Sequence, residues 1–178
     1  MGPLAGAGEI TPAPGLRAEL ATALVRVADG RFRSYRWERE PEVVAVYFGA
    51  GWCAPCHAFV PRLRTVYQEL RRLGVDTEVV FVSLDRSERA MLRYMEAQEM
   101  PWPAVDRRRL ASLPHLRRLA GEASPNLVLV ARDGRVLAGS WRDGEYEGTE
   151  AVLDRWIQQG RAGDPPPGAA AGTAPESD

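Results

Sequence analysis

Both cysteines of the 178-residue chain fall in one stretch, Trp52-Cys53-Ala54-Pro55-Cys56. Two thiols with two residues between them, set where a strand runs into a helix, are the pattern of a redox dithiol. Residues three apart on a helix have Cβ atoms roughly 5 to 6 Å apart, and modest adjustment from that spacing closes a disulfide. The placement also gives each thiol a role. Cys53 stands at the helix start, where unpaired backbone N–H groups and the positive end of the dipole favour an anion, so it is the expected nucleophile. Cys56, one turn further in, is the expected resolving thiol, which attacks the mixed disulfide and releases reduced substrate. Ala54 and Pro55 support the motif: Pro55 falls in the first turn, where a missing N–H costs no hydrogen bond and a fixed φ is already helical.

Other chemistries compete for the same residues. Zinc usually takes four ligands, and beyond the two thiols only His57 and the distant His115 could complete a sulfur and nitrogen set, so no metal is expected. His57 would point about 100° around the helix from Cys56, which makes it a surface residue rather than a catalytic base. Trp52 reads equally as a core aromatic or as a contact surface for substrate.

The elements that must hold this motif are legible in order. Val43 to Phe48 is a continuous apolar, β-branched run of the kind buried in a parallel sheet, and Gly49-Ala50-Gly51 supplies a small-residue turn after it. Beyond the cysteines, Phe59, Leu63, Val66, Tyr67, Leu70 and Leu73 make one stripe on a long helix closed by Gly74 and kinked at Pro61. Val79 to Ser83 is a second buried strand, followed from Ser87 by a helix carrying Met91, Leu92 and Met95; the alternation implies a parallel pair. Pro101-Trp102-Pro103 interrupts the chain, and Leu110 to Leu119 suggests helical turns broken near Pro114. Asn126 to Val130 is a third strand, and Asp133-Gly134 predicts a hairpin to Val136–Ser140. Thr149 can cap a last helix, stopped at Gly160. Upstream, Leu16, Leu20, Leu24 and Val27 predict one amphipathic helix up to a turn at Asp29-Gly30, with a short strand over Phe32 to Trp37.

One domain over residues 16–160 is expected, with a flexible Gly, Pro and Ala-rich segment at 1–15 and a disordered tail at 161–178. A net charge of −1 gives no global reason to expect nucleic acid or an anionic membrane as partner. All 23 basic residues are arginine, which fits a GC-rich coding bias. Arg107-Arg108-Arg109 and Arg117-Arg118 then read as solvated helix faces rather than a binding patch. Residues 1–15 hold neither a basic n-region nor an unbroken apolar segment, so no secretory signal or membrane span is expected and the cytoplasm is the expected location; a misassigned start codon would admit a periplasmic one.

The ordered set of motifs resembles the thioredoxin-like fold, an α/β fold with a central mixed sheet and helices on both faces, and within it the tryparedoxin and nucleoredoxin group. The resemblance covers about residues 30 to 158. Its markers are Tyr47 to Cys53 with Cys56, then Phe59-Val60-Pro61, Val79 to Asp85, and Met100-Pro101-Trp102 followed by Ala104-Val105. It implies a monomeric thiol-disulfide oxidoreductase that passes electrons from an upstream thiol donor or reductase to disulfides in proteins or peroxidases, with no cofactor beyond the dithiol. It also implies that Pro125 is a cis-proline facing the dithiol, with the Ser124 backbone available to pair with a substrate chain. Two departures stand out. Ser124 and Asn126 flank that proline where the family commonly has an apolar or threonine residue before it and threonine after. Thioredoxin itself carries a buried aspartate where Tyr47 stands, which leaves the base for Cys56 unidentified, a core role being expected for Tyr47. A redox-regulated binding module with little turnover is the alternative function, and a metal-transfer protein using Cys53, Cys56 and His57 is a third.

Overall fold

The computed structural model describes residues 14–163. Its frame is a seven-stranded mixed sheet in the order β2-β1-β5-β4-β3-β6-β7. The chain runs α1 (Pro14–Thr22), β1 (Leu24–Ala28), β2 (Arg31–Ser34), β3 (Val43–Gly49), α2 (Ala54–Arg72), β4 (Thr77–Ser83), α3 (Glu88–Ala97) and β5 (Ala104–Val105). A 3-10 helix (Arg107–Ser112) follows, then α4 (Pro114–Arg118), β6 (Asn126–Ala131), β7 (Val136–Gly139), the small pair β8 (Trp141–Arg142) and β9 (Glu145–Tyr146), and α5 (Glu150–Ala162). β3 pairs parallel with β4 and antiparallel with β6, so the strand leading to the cysteines lies inside the sheet.

Alternation along the central strands builds two apolar layers. Ala45, Tyr47, Val79, Phe81, Leu127 and Leu129 face α2, α3 and α5, while Val44, Val46, Phe48, Val80, Val82, Val128 and Val130 face α1 and α4. A sheet covered on both sides needs apolar residues at every position, which is why these strands read as unbroken hydrophobic runs. Helices therefore lie on both faces, as expected.

Several boundaries differ from the sequence reading. The predicted N-terminal helix begins at Pro14 and stops at Thr22; Leu24 to Ala28 instead form β1, which pairs with both β2 and β5. Asp29 and Gly30 hold φ of 52° and 69°, the left-handed pair that a tight hairpin requires, so they turn a hairpin rather than end a helix. The strand predicted over Phe32 to Trp37 ends at Ser34. β5 has only two residues, too few for a periodicity to show. Thr149 adopts helical φ and ψ and makes no side-chain cap. α5 continues past Gly160 to Ala162. Gly160 is a close-packing position: an added Cβ would sit 2.7 Å from Leu70 Cδ2. α2 is continuous through Pro61. The segments expected to be flexible, 1–15 and 161–178, lie almost wholly outside the described residues.

Candidate active site

β3 delivers the chain to the edge of the core at Gly49, and Ala50 to Trp52 turn it into α2. That turn is fixed by the Cys53 N–H to Ala50 O (3.1 Å), by Leu84 N–H to Gly49 O (2.9 Å) and by Gly51 N–H to Asp85 Oδ1 (2.9 Å). Asp85 is itself aligned by the Ser83 hydroxyl, which donates to Oδ2 at 2.8 Å. Cys53 is the N-cap residue of α2, in extended conformation, and Ala54 and Pro55 form the first turn. An N-cap side chain accepts from the helix's unpaired N–H groups. Here that side chain is a sulfur.

Cys53 and Cys56 are joined as a disulfide, with Cα atoms 5.2 Å apart. Two donors point at Cys53 Sγ: the Cys56 N–H at 3.3 Å and the Ser124 hydroxyl at 3.3 Å. Cys56 is fully buried, whereas Cys53 retains 4 % exposure. The Ser124–Pro125 peptide bond is cis. Trp52 is 64 % exposed, with its indole N–H donating to Leu84 O, so it is no core aromatic. Trp52, Cys53, Pro55, Glu122 and Ser124 line a groove of about 480 Å³ across the disulfide. The residues singled out in the sequence thus meet in one place: Cys53, Cys56, Ala54 and Pro55 from the helix start, Trp52 beside it, and Ser124 and Pro125 from the segment before β6.

Sequence reasoning missed the braces of that opposite wall. Tyr146 on β9 donates its hydroxyl to Pro125 O at 2.6 Å, and Asn126 Nδ2 donates to the carbonyls of Leu119 and Ala120 at 2.8 Å each. The signal for Tyr146 was present: Asp143 and Gly144, with φ of 50° and 81°, turn the β8–β9 hairpin and carry the dipeptide that marks tight turns. The Ser124 hydroxyl was also overlooked, since only its backbone was expected to act.

Tyr47 is a core tyrosine. Its hydroxyl bonds that of Tyr94 at 2.8 Å, and burial, with the neighbouring Tyr94 and Asp85, raises its pKa above the ordinary phenol value. Burial likewise pushes Tyr94 up to about 12. Both phenols stay protonated at neutral pH and offer Cys56 no base. Gly49 makes room for the pair, because a side chain there would collide with the Tyr47 hydroxyl. His57 lies on the surface, its Nε2 2.6 Å from Gly51 O and its Nδ1 3.0 Å from Gln98 Nε2. Both ring nitrogens are engaged away from the sulfurs, which disfavours the metal-transfer reading. Among the described residues no cluster of three His, Cys, Asp or Glu could hold a metal ion, and no helix is long and apolar enough to cross a membrane.

A family model described as thioredoxin-like matches residues 41–136, more than half of the chain and all of the sheet's centre. The chain belongs to the thioredoxin-like family. It is 38% identical over 104 residues to the nucleoredoxin of Danio rerio and 37% identical over 100 residues to that of Homo sapiens. These matches cover 58% and 56% of this chain but only 24% and 22% of the two nucleoredoxins, so the chain spans about a quarter of those relatives' length. Native tryparedoxin I from Crithidia fasciculata superposes with a TM-score of 0.58 at 28% identity, over 79% of this chain and 91% of that one. A thioredoxin from Wuchereria bancrofti gives a TM-score of 0.58 at 28% identity, covering 79% of this chain and 97% of its own. The family match and the Cys53–Cys56 disulfide thus fall in one thioredoxin-like domain that is similar in sequence to nucleoredoxins and in structure to tryparedoxin I.

Proposed function

We propose that the chain reduces disulfides in protein or peroxidase substrates, with Cys53 attacking and Cys56 resolving. The observation that carries this is the surroundings of Cys53 Sγ: an N-cap sulfur with a backbone N–H and a hydroxyl at hydrogen-bond distance. In the reduced protein both donors stabilise a thiolate, and so does the helix dipole. The Cys53 thiolate attacks one sulfur of the substrate disulfide, a Cys53–substrate bond forms, and the other substrate sulfur leaves as thiolate. Cys56, deprotonated as the leaving thiolate takes up a proton, attacks Cys53 Sγ and releases the second substrate thiol. The Cys53–Cys56 disulfide is then regenerated, two electrons have passed to the substrate, and two equivalents of a donor thiol, or one reductase dithiol, restore the dithiol.

Trp52 and Pro125 form the walls against which the substrate chain lies, and the Ser124 backbone pairs with it. A reductase of this kind belongs in a reducing compartment, the cytoplasm. One copy of the domain suffices, and residues 1–15 and 161–178 contribute nothing to turnover. The test is steady-state reduction of a peptide disulfide with dithiothreitol as donor. The proposal expects many turnovers per protein molecule above the uncatalysed exchange; reaction stopping at one equivalent would favour a redox-regulated binding module.

A further inference from the structure

The groove over the disulfide has a neighbour that the proposed reaction does not use. On the other side of Trp52, between the start of α2 and α3, lies a cleft of about 680 Å³ whose walls include Gly51, Trp52, His57, Asp85, Arg86 and Arg93. Trp52 lines both spaces and stands exposed between them. The charges of the cleft are unbalanced. Arg86 and Arg93 are both exposed and make no ion pair with any described residue. The only carboxylate in the wall, Asp85, is buried and already accepts from the Gly51 N–H and the Ser83 hydroxyl. His57 has its two nitrogens engaged. Two unpaired guanidinium groups in a concave wall suit a carboxylate, which arginine binds through paired N–H donors.

We propose that this cleft takes an acidic side chain carried by the protein substrate within a few residues of its reactive cysteine. The inference rests on the reductase reading and adds a sequence preference to it. A ligand reaching both the sulfur and the arginines must pass over Trp52, and an extended chain does so, since each residue advances roughly 3.3 Å. A peptide segment is therefore favoured over a small free acid. Charge complementarity of this kind acts on encounter and register more than on the chemical step.

The test uses a series of peptide disulfides that differ only in carrying Glu, Gln or Lys two or three residues from the cysteine, on either side. Uncatalysed exchange of each with dithiothreitol corrects for intrinsic reactivity. For the wild-type chain kcat/KM should favour Glu over Lys by about 10-fold, a size consistent with two partly exposed ion pairs, and the ratio should shrink as salt rises. In Arg86→Gln/Arg93→Gln the ratio should fall to about 1, while Arg89→Gln, a substitution on the same helix outside the cleft, keeps it. Equal rates for Glu and Lys in the wild type, or a preference that survives the double substitution, overturn the proposal. So does an arginine-dependent preference for glutathione disulfide over its ethyl ester without any peptide preference, which would make the cleft a small-molecule site. Absence of turnover on every peptide would sink the reductase reading and this proposal with it, whereas turnover without charge preference sinks this proposal alone.

Discussion

The two ends of α2 are built from similar materials and do different things. At its start, the donors that a helix leaves unpaired converge on a sulfur, and an indole stands out in water beside it. At its end lies a larger cavity, about 800 Å³, walled by Leu70, Leu73, Val75, Trp156 and Ile157. There the polar groups satisfy one another: the Trp156 indole N–H donates to Thr77 Oγ1 at 2.8 Å, Thr77 Oγ1 donates to Val43 O at 2.9 Å, and Arg71 bonds Thr77 O at 3.2 Å. The smaller space is the one that Cys53 lines. Cavity size follows from how helices splay, whereas thiolate reactivity follows from donors that converge on a sulfur, and that arrangement lies at the start of α2 and not at its end.

Substitutions can break that contrast. The largest effect should come from Cys53→Ser, which removes the attacking sulfur and should lower kcat/KM for a peptide disulfide by at least about 10³-fold. At the far end, Thr77→Val strands the buried Trp156 N–H and should cost about 2 kcal/mol in urea unfolding with kcat/KM unchanged. A comparable loss of activity would mean that the two ends are coupled. Near the dithiol, Ser124→Ala deletes one of two donors to Cys53 Sγ and should raise the thiolate pKa of the reduced protein by about 0.5 to 1 unit, read from thiolate absorbance. An unchanged titration would leave the Cys56 N–H and the helix dipole as the whole cause.

The smallest effect sharpens the far-end account. Burial pushes the Glu78 carboxyl up, although the Tyr67 hydroxyl, the Val79 N–H, Arg71 and Arg26 pull it down. A carboxyl whose folded pKa is raised is more costly in the fold when charged, so native stability falls as pH rises from the ordinary carboxylate range through the raised value. Glu78→Gln removes that loss and should stabilise by about 1 kcal/mol at pH 7, the gain vanishing below about pH 4. A gain independent of pH would contradict the assignment.

How much was legible in the sequence follows the same division. The central strands were readable because burial on both faces leaves no polar position, and the site was readable because Cys53 and Cys56 are the chain's only cysteines. The hairpins are unevenly legible. Asp133-Gly134 lies between two apolar runs and reads as a hairpin, Asp29-Gly30 reads only as a turn after a helix, and the same dipeptide at 143–144 goes unread. Leu16, Leu20, Leu24 and Val27 match a helical period, and β9 is only two residues long. Leu24 and Val27 show why a period alone misleads: an edge partner for β5 was needed, and β1 supplies it. The Ser124 hydroxyl was missed for a different reason. Its contact with Cys53 joins residues 71 apart, and spacing along the chain carries no trace of that.

The most direct test of the account is the polarity of trapping. Reduced Cys56→Ser, mixed with a peptide disulfide and examined by intact mass under non-reducing conditions, should carry one peptide on Cys53 that dithiothreitol releases. Cys53→Ser, treated alike, should carry none. An adduct on Cys53→Ser and not on Cys56→Ser would contradict the account, for it would place the attacking thiol inside the helix rather than at its start.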